Sequence, residues 1–573
     1  MVEFGWYGIL QILGAIALFI YGLKVMSEAV QRVASIQLRD ALQRVTNNRF
    51  SSFLTGFFTA AAIQSSSATT VMTLSFVNAG IISLMAAAGI IIGANVGTIV
   101  TIWIVTFLGF EFSEFTISLP IIGVAMPFLF IKNGKYRHWA ETVIGFSLLL
   151  ISIQFLKSVV PDLQRHDEIM HFLGQLGDNG MISILTFIFI GIAFTALIQS
   201  SSAAMALTLT LCLNGLLPFD IAAAMVLGEN IGTTITTEIA SWVGNSQSKK
   251  AARIHVLFNL LGVLWVLPAL PIILPFISWM MKEWLGTGNP YTDPTSMPVG
   301  LAIFYTFFNL INGVIFFLLM PELVKLASKT VKVKEGDEKR VYFIDTGSNT
   351  ADLELPIARQ EILQQCQRVK NLNTILNRIT NYTTEVEFQE QTRIAQSYLQ
   401  TLSENQKAIN NYLTGMMEER SSLYTSKQIK SLLNISLLID LIRSKYENIY
   451  HLIGDKRQQR IWFGPTQRSI LLHRINDASM MIRRCIEIIQ SNVMSKSRWK
   501  GMAFDMTDKN LDYLDYEREL MRELERGEMK IASVITYYRM SQYLDSINEA
   551  LRTIISELVD EHLPESARTI QSV

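Results

Sequence analysis

IQSSSATT, residues 63–70, sets a glutamine, three serines and two threonines inside a stretch with no Asp, Glu, Lys or Arg from Phe50 to Phe110. The same letters return as IQSSSA at 198–203, inside a second charge-free stretch from Asn179 to Phe219. Charge-free runs of this length read as lipid-embedded, and a bilayer core takes about 20 apolar residues per crossing helix. Each QSSS splits its apolar piece into halves of about 13–17 residues, too short to cross. Both pieces are therefore read as helical hairpins that enter the membrane and turn back, Phe50–Ala79 and Met181–Asn214.

Charge is distributed unevenly around these hairpins. Residues 1–330 carry 16 Lys+Arg and 16 Asp+Glu, whereas the shorter stretch 331–573 carries 33 of each. A membrane unit followed by a charged soluble unit is the simplest account. No basic face stands out, which argues against nucleic acid. Cys212, Cys366 and Cys485 lie far apart, with no CxxC or Cys/His cluster, so neither a zinc site nor a disulfide framework is read. No nucleophile–base pair marks an enzyme. The apolar N-terminal stretch lacks a basic leader and runs past signal-peptide length, and it reads as a retained first span.

Further spans are expected over Phe4–Val30, Ser83–Phe107, Ile117–Ile131, Ala140–Val160, Pro218–Val243, Ile254–Met281 and Met297–Met320. With the N-terminus outside and both hairpins re-entrant, the inside loops hold Arg32, Arg39, Arg44, Arg49, Lys132, Lys135, Arg137, Lys249, Lys250 and Arg253. The outside loops hold Glu111, Glu114, Asp162, Asp167, Glu168, Asp178, Glu283 and Asp293 against only Arg165 and Lys282. This is the basic-inside bias of a plasma-membrane (inner-membrane) protein, and it puts the C-terminal part in the cytoplasm. Residues 331–355 read as a polar linker. Residues 356–565 show 3.6-residue periodicity with breaks near Gly415, Gly454–Pro465 and Gly527, a helical bundle. The fold class is all-α: a polytopic membrane domain over 1–330 with two inverted repeats, each carrying a re-entrant hairpin, then the bundle.

The repeat has a fixed offset. Gln64/Gln199, Gly80/Gly215, Gly93/Gly228, Asn95/Asn230, Gly97/Gly232 and Thr98/Thr233 are each 135 residues apart. Repeat 1 covers about 4–110 and repeat 2 about 140–243, with further spans over 254–320. A hairpin tip at mid-membrane exposes the N-terminus of its second half-helix, whose first N–H groups lack partners and carry partial positive charge. Serine adds hydroxyl donors without adding charge, and two such tips make a cage of neutral donors suited to an oxyanion such as phosphate. Asn95, Thr98, Asn230 and Thr233 offer oxygen ligands for Na⁺ on the helices that follow. Glu229 stands where the first repeat has Ala94, and a carboxylate near the membrane centre is functional by default, as cation ligand or proton carrier. The paired glycines fit close helix packing and a loosened backbone equally well. His255 reads as a packed, hydrogen-bonded histidine.

QSSSATT and QSSSAAM, each followed by GxNxGT, resemble the type II sodium–phosphate cotransporter family, and HVLFN at 255–259 is similar to that family's HxxFN motif, with a degenerate copy YTFFN at 305–309. The resemblance covers residues 1 to about 325 and implies Na⁺-coupled uptake of inorganic phosphate with no cofactor. It implies phosphate binding at Gln64, Ser65, Ser66, Ser67, Gln199, Ser200, Ser201 and Ser202, and sodium roles at Asn95 and Asn230. Tyr305 departs from the family's histidine. The bundle resembles the PhoU domain, whose carboxylate motif is matched by Asp440…Ser444 and Asp545…Glu549, the first without its second carboxylate. A membrane phosphate sensor signalling through the bundle is the alternative to a transporter. A homodimer and a cytoplasmic partner for the bundle stay open.

Overall fold

Backbone amides in lipid have no water to bond, so an apolar chain satisfies them inside helices. Every regular element among the described residues is helical, and no strand occurs there. The computed structural model describes residues 6–43, 48–107, 115–131, 134–163, 180–332, 343, 351–380, 384–418, 423–490, 521–522, 524–526 and 530–562. The outside charges at 111, 114, 165, 167, 168 and 178, most of the linker and the break near Gly527 lie outside these residues. The chain divides into two compact units, residues 1–338 with 342–353 and residues 339–341 with 354–573.

The first unit opens with α1 (Trp6–Gln43), α2 (Arg49–Ile63), α3 (Ser66–Asn78) and α4 (Leu84–Thr106). Next come α5 (Phe115–Ala125), which runs into a 3₁₀ turn at Met126–Phe130, and α6 (Gly134–Leu163). The second set is α7 (Met181–Ile198), α8 (Ser201–Leu213) and α9 (Phe219–Ser241), followed by α10 (Ser246–Val266), α11 (Leu270–Met280), α12 (Met297–Leu318) and α13 (Met320–Thr330). Among the described residues, six segments are long and apolar enough to cross a bilayer: Leu10–Val33, Leu84–Thr106, Tyr136–Ser158, Met181–Ile198, Ser246–Leu285 and Pro294–Leu318. This differs from the expected set in three ways, the first being that the expected span Ile117–Ile131 is only a shorter apolar helix, Ser118–Phe130. The first arm of the second hairpin reaches 18 residues. The helix α9 is long enough but carries Asp220, Glu229 and Glu238, and Glu229 is buried within the unit.

The duplication extends to atomic packing. A Cβ built on Gly93 would stand 2.0 Å from the Phe53 carbonyl oxygen, and one on Gly228 2.0 Å from the Ile188 carbonyl oxygen, the same contact 135 residues on. Gly56 meets Ile90 O and Gly191 meets Met225 O in the same register, at 2.0 and 2.2 Å. Small residues let helix backbones touch, which in lipid is a main source of helix association. Of the two readings of the paired glycines, close packing is therefore the one the structure shows. Gly80 and Gly215 differ from these: each leaves its half-helix at positive φ, +74° and +68°, where only glycine is unstrained.

The second unit contains α14 (Ala351–Thr380), α15 (Glu385–Glu418), α16 (Leu423–Gln458), α17 (Pro465–Gln490) and α18 (Ile531–His562). Its first helix starts before Pro356 and carries that proline inside, so helix replaces part of the expected linker. Asn373 joins three helices at the core, donating to Ile475 O and Ser479 Oγ and accepting from Tyr446. In the carboxylate-motif positions, Asp440 accepts from Arg443 at 2.7 Å and Asp545 pairs with Arg474.

Helix α14 also buries Glu361 and Gln365, and neither end of the Gln365 amide finds a partner, nor does Glu361 Oε2. Burial pushes the Glu361 carboxyl up to about 7, with Arg368 pulling it partly back. A carboxyl whose folded pKa exceeds its unfolded value stabilises the fold fully below the unfolded value and loses that contribution as pH rises through the folded one. The melting temperature of the bundle is thus expected to fall between about pH 4.5 and pH 7, and Glu361→Gln to flatten that fall. An unchanged pH slope in the variant, followed by calorimetry, would assign the dependence elsewhere.

Candidate functional site

Both hairpin tips are built alike. Gln64 closes α2 in the left-handed region, φ 59°, ψ 28°, and Ser65 then swings extended to cap α3, its hydroxyl accepting from Ala68 N at 3.2 Å. Gln199 repeats this at φ 57°, ψ 23°, and Ser200 caps α8 by accepting from Ala203 N at 3.3 Å. A left-handed glutamine costs of order 1 kcal/mol where glycine would cost nothing. Strain of this kind persists only where surrounding packing imposes it, and it clusters at ligand sites. The result is an abrupt reversal that starts a new helix within two residues of the previous helix end.

A cavity opens at the second tip. Ser201 and Ser202 meet Thr98, Thr101, Ile102 and Val105 of α4, Met205 of α8, Glu229 and Asn230 of α9, and Tyr305 of α12. The serines thus come from one repeat and the threonines from the other. Tyr305 and Thr98 share a hydroxyl–hydroxyl hydrogen bond of 2.7 Å. Glu229 is 1% exposed. Its Oε1 accepts from Thr208 Oγ1 at 2.6 Å, while Oε2 has no donor. A buried carboxylate oxygen without a donor, beside amide and hydroxyl oxygens, is a set suited to a hard cation.

The remaining predicted residues do not line this cavity. At the first tip Gln64 and Ser66 are buried, Ser65 and Ser67 half-buried, and the Gln64 amide donates to Ala61 O. Gln199 is exposed and Ser200 half-buried. Asn95 receives Asn259 Nδ2 at 3.3 Å and lies 3.4 Å from His255 Nε2, so it belongs to a buried polar cluster with these two residues. His255 reaches Thr237 Oγ1 at 3.1 Å with its other nitrogen, as a packed histidine should. Thr233 donates to Asn230 O at 2.7 Å, just as Thr98 donates to Asn95 O.

Three polar residues of the site were missed in the sequence, Thr101, Thr208 and Tyr305. Thr208 is the repeat partner of Thr73, which donates to the carbonyl of Thr69 in its own helix. In the second repeat the neighbour has changed from Ala94 to Glu229, and the equivalent threonine turns to the carboxylate. Tyr305 was singled out only as a departure from histidine. Its register with His255 in the paired xxxFN motifs was the available signal.

These features define a class: a polytopic helical membrane protein with two duplicated half-helix tips and a small polar cavity at the second of them. Through this unit the chain is similar to the Na⁺/Pi-cotransporter family, whose model matches residues 18–158 and 165–274. It is 27% identical over 455 residues to YjbB of Escherichia coli, provisionally named an inorganic phosphate export protein, covering 78% of both chains. It is 26% identical to the protein YqeW of Bacillus subtilis over 321 residues, 56% of this chain and 97% of that one. A shorter stretch of 85 residues is 35% identical to sodium-dependent phosphate transport protein 2A of Oryctolagus cuniculus, 14% of this chain and 13% of the relative. No solved structure matches.

Proposed function

We propose that the chain is a secondary carrier that couples Na⁺ to the uptake of inorganic phosphate across the plasma membrane. The observation that carries this reading is one cavity holding opposite chemistries: the hydroxyls of Ser201 and Ser202 at a helix N-terminus, and the unpartnered carboxylate oxygen of Glu229. An ionised Glu229 would repel phosphate, by several kcal/mol at a few ångströms and an effective dielectric constant of about 20. A sodium ion held by Glu229, Asn230 and Thr98 removes that repulsion. Phosphate then binds well only after Na⁺, and this order is the coupling. Gln64, Ser65, Ser66, Ser67, Gln199 and Ser200 would complete the phosphate shell when the first tip approaches in another state of the cycle. Asn95 and Thr233 would hold sodium in that state.

The repeats are inverted in this reading, with the N-terminus outside and the PhoU-like bundle in the cytoplasm as a regulatory domain. The name of the Escherichia coli relative favours export as the second reading. A coupled carrier runs either way as its gradients dictate, so sodium dependence decides the matter more sharply than net direction. Purified chain in proteoliposomes is expected to take up phosphate when Na⁺ is high outside, and not when K⁺ replaces it. A chain ending after Val333 keeps every residue of the cavity and is expected to transport at a similar rate. Uptake indifferent to the cation would exclude sodium coupling. A folded but inert truncation would make the bundle part of the transport machinery.

A further inference from the structure

The lining of the cavity at the second tip is uneven in its hydrogen-bonding chemistry. The hydroxyls of Thr101, Ser201 and Ser202 can each turn a hydrogen toward an anion. The Asn230 amide keeps one N–H beyond the one it gives to Val226 O, while Thr98 and Tyr305 bond each other. Glu229 is the exception. An ionised carboxylate offers only lone pairs, about four in all. Thr208 fills one of them, on Oε1 at 2.6 Å. Oε2 has no donor among the described residues, although the residue is 1% exposed. Such an oxygen costs free energy until a donor or a cation reaches it.

The carboxylate is held from two sides. Thr208 fixes its head, and a Cβ built on Gly191 of α7 would stand 3.1 Å from Glu229 N, so the helix backbones meet at this residue. The first repeat has Ala94 in this position. The duplicated tips therefore supply serine hydroxyls twice but this acceptor once. A ligand that matches the set is tetrahedral, with several acceptor oxygens and at least one donor hydroxyl. Phosphate at neutral pH carries that hydroxyl. Sulfate has the same shape and only acceptor oxygens.

We infer that Glu229 is the group by which this cavity selects phosphate over sulfate: its Oε2 accepts the hydrogen of the substrate's P–OH, while the Ser201 and Ser202 hydroxyls donate to the other oxygens. This rests on the phosphate-carrier reading. With Na⁺ also beside the carboxylate, at least one of its lone pairs remains for the P–OH. An anion without the hydroxyl sets oxygen against oxygen and leaves Oε2 buried and unpaired. A site built around a substrate hydroxyl rejects analogues lacking it far more strongly than a pocket rejects a change of size.

The experiment is displacement of radiolabelled phosphate from the purified full-length chain in detergent, at saturating Na⁺, by arsenate, sulfate and fluorophosphate. Fluorophosphate is the decisive probe, because at neutral pH it has the charge and shape of hydrogen phosphate with fluorine in place of the hydroxyl. Arsenate keeps the hydroxyl and is expected to displace within about tenfold of phosphate, whereas sulfate and fluorophosphate act at least about a hundredfold less well. Glu229→Gln keeps the shape and a carbonyl oxygen for Thr208 but sets an N–H where Oε2 stands. It is expected to bring sulfate and fluorophosphate to within about tenfold of phosphate. Discrimination is a ratio, so a weaker or sodium-independent variant still reports it, and the anion series on the parent chain decides if the variant does not fold. Fluorophosphate displacing as well as arsenate from the parent, or unchanged discrimination in a folded Glu229→Gln, overturns the inference and leaves the carrier reading standing. Phosphate binding indifferent to Na⁺, with fluorophosphate still rejected, removes sodium coupling and keeps the role of Glu229. No displaceable phosphate at all removes both.

Discussion

Ser201→Leu is expected to lower sodium-driven phosphate uptake by at least two orders of magnitude while leaving the amount of folded protein in the membrane unchanged. The helix start does not depend on Ser201, because Ser200 provides the cap. Residue 201 is half-buried and lines the cavity, so an apolar side chain there meets no buried donor that it would leave unpaired. The loss falls on the ligand. A hydroxyl bonded to a charged group contributes about 1.5–3 kcal/mol, ten- to a hundredfold in affinity. The larger leucine also fills the space the anion needs. The equivalent change in the first repeat is expected to differ in kind. Ser66 is 4% exposed, so Ser66→Leu overpacks a core and should reduce folded protein as well as transport. Uptake assays beside size-exclusion profiles of the two variants separate these outcomes. Near-normal uptake by Ser201→Leu would remove the second tip from the phosphate path.

Why the hairpins were legible and the cavity was not follows from where each signal sits. QSSS in a charge-free run is a local anomaly, and its return at a fixed offset of 135 residues is visible along the chain. The break at each tip is local too: Gln64 and Gln199 end one helix and Ser65 and Ser200 cap the next within two residues. The cavity depends on which helices meet. Thr98 reaches Tyr305 across 207 residues, and Asn95 reaches His255 across 160, pairings that no periodicity encodes. Glu229 was conspicuous as the charged member of an otherwise matched pair, yet its partner Thr208 looked like any helix threonine. Span boundaries failed where composition and burial diverge. Helix α9 is polar for a span because its carboxylate is enclosed by protein, and α7 is more apolar than its role in a hairpin demands. The glycines showed the same limit from another side: sequence alone could not tell a flexible residue from a contact surface.

That last ambiguity yields the second large effect. Gly93→Val or Gly228→Val is expected to abolish recovery of folded protein. In each case the new Cβ would lie 2.0 Å from a carbonyl oxygen of the hairpin's first arm, Phe53 O or Ile188 O. A side chain in the way could rotate aside, but a backbone oxygen moves only with its helix. The hairpin must therefore separate from α4 or α9, and the neighbouring contacts Gly56–Ile90 and Gly191–Met225 open with it. Overpacking with a single extra group typically costs about 1–3 kcal/mol even where side chains can yield. In lipid no hydrophobic force returns the separated helices to contact. Gly14→Ala is the control, since nothing lies within 4 Å of its Cβ, and it should be neutral. The two meanings of the paired glycines then diverge in one measurement. If they served to loosen the backbone, Gly93→Ala would give well-folded, thermally sturdier protein that transports slowly. If they serve as contact surfaces, Gly93→Ala should lower the melting temperature and Gly93→Val should leave no monodisperse protein at all. A stable, slow Gly93→Ala variant would return these residues to the transport cycle as hinges.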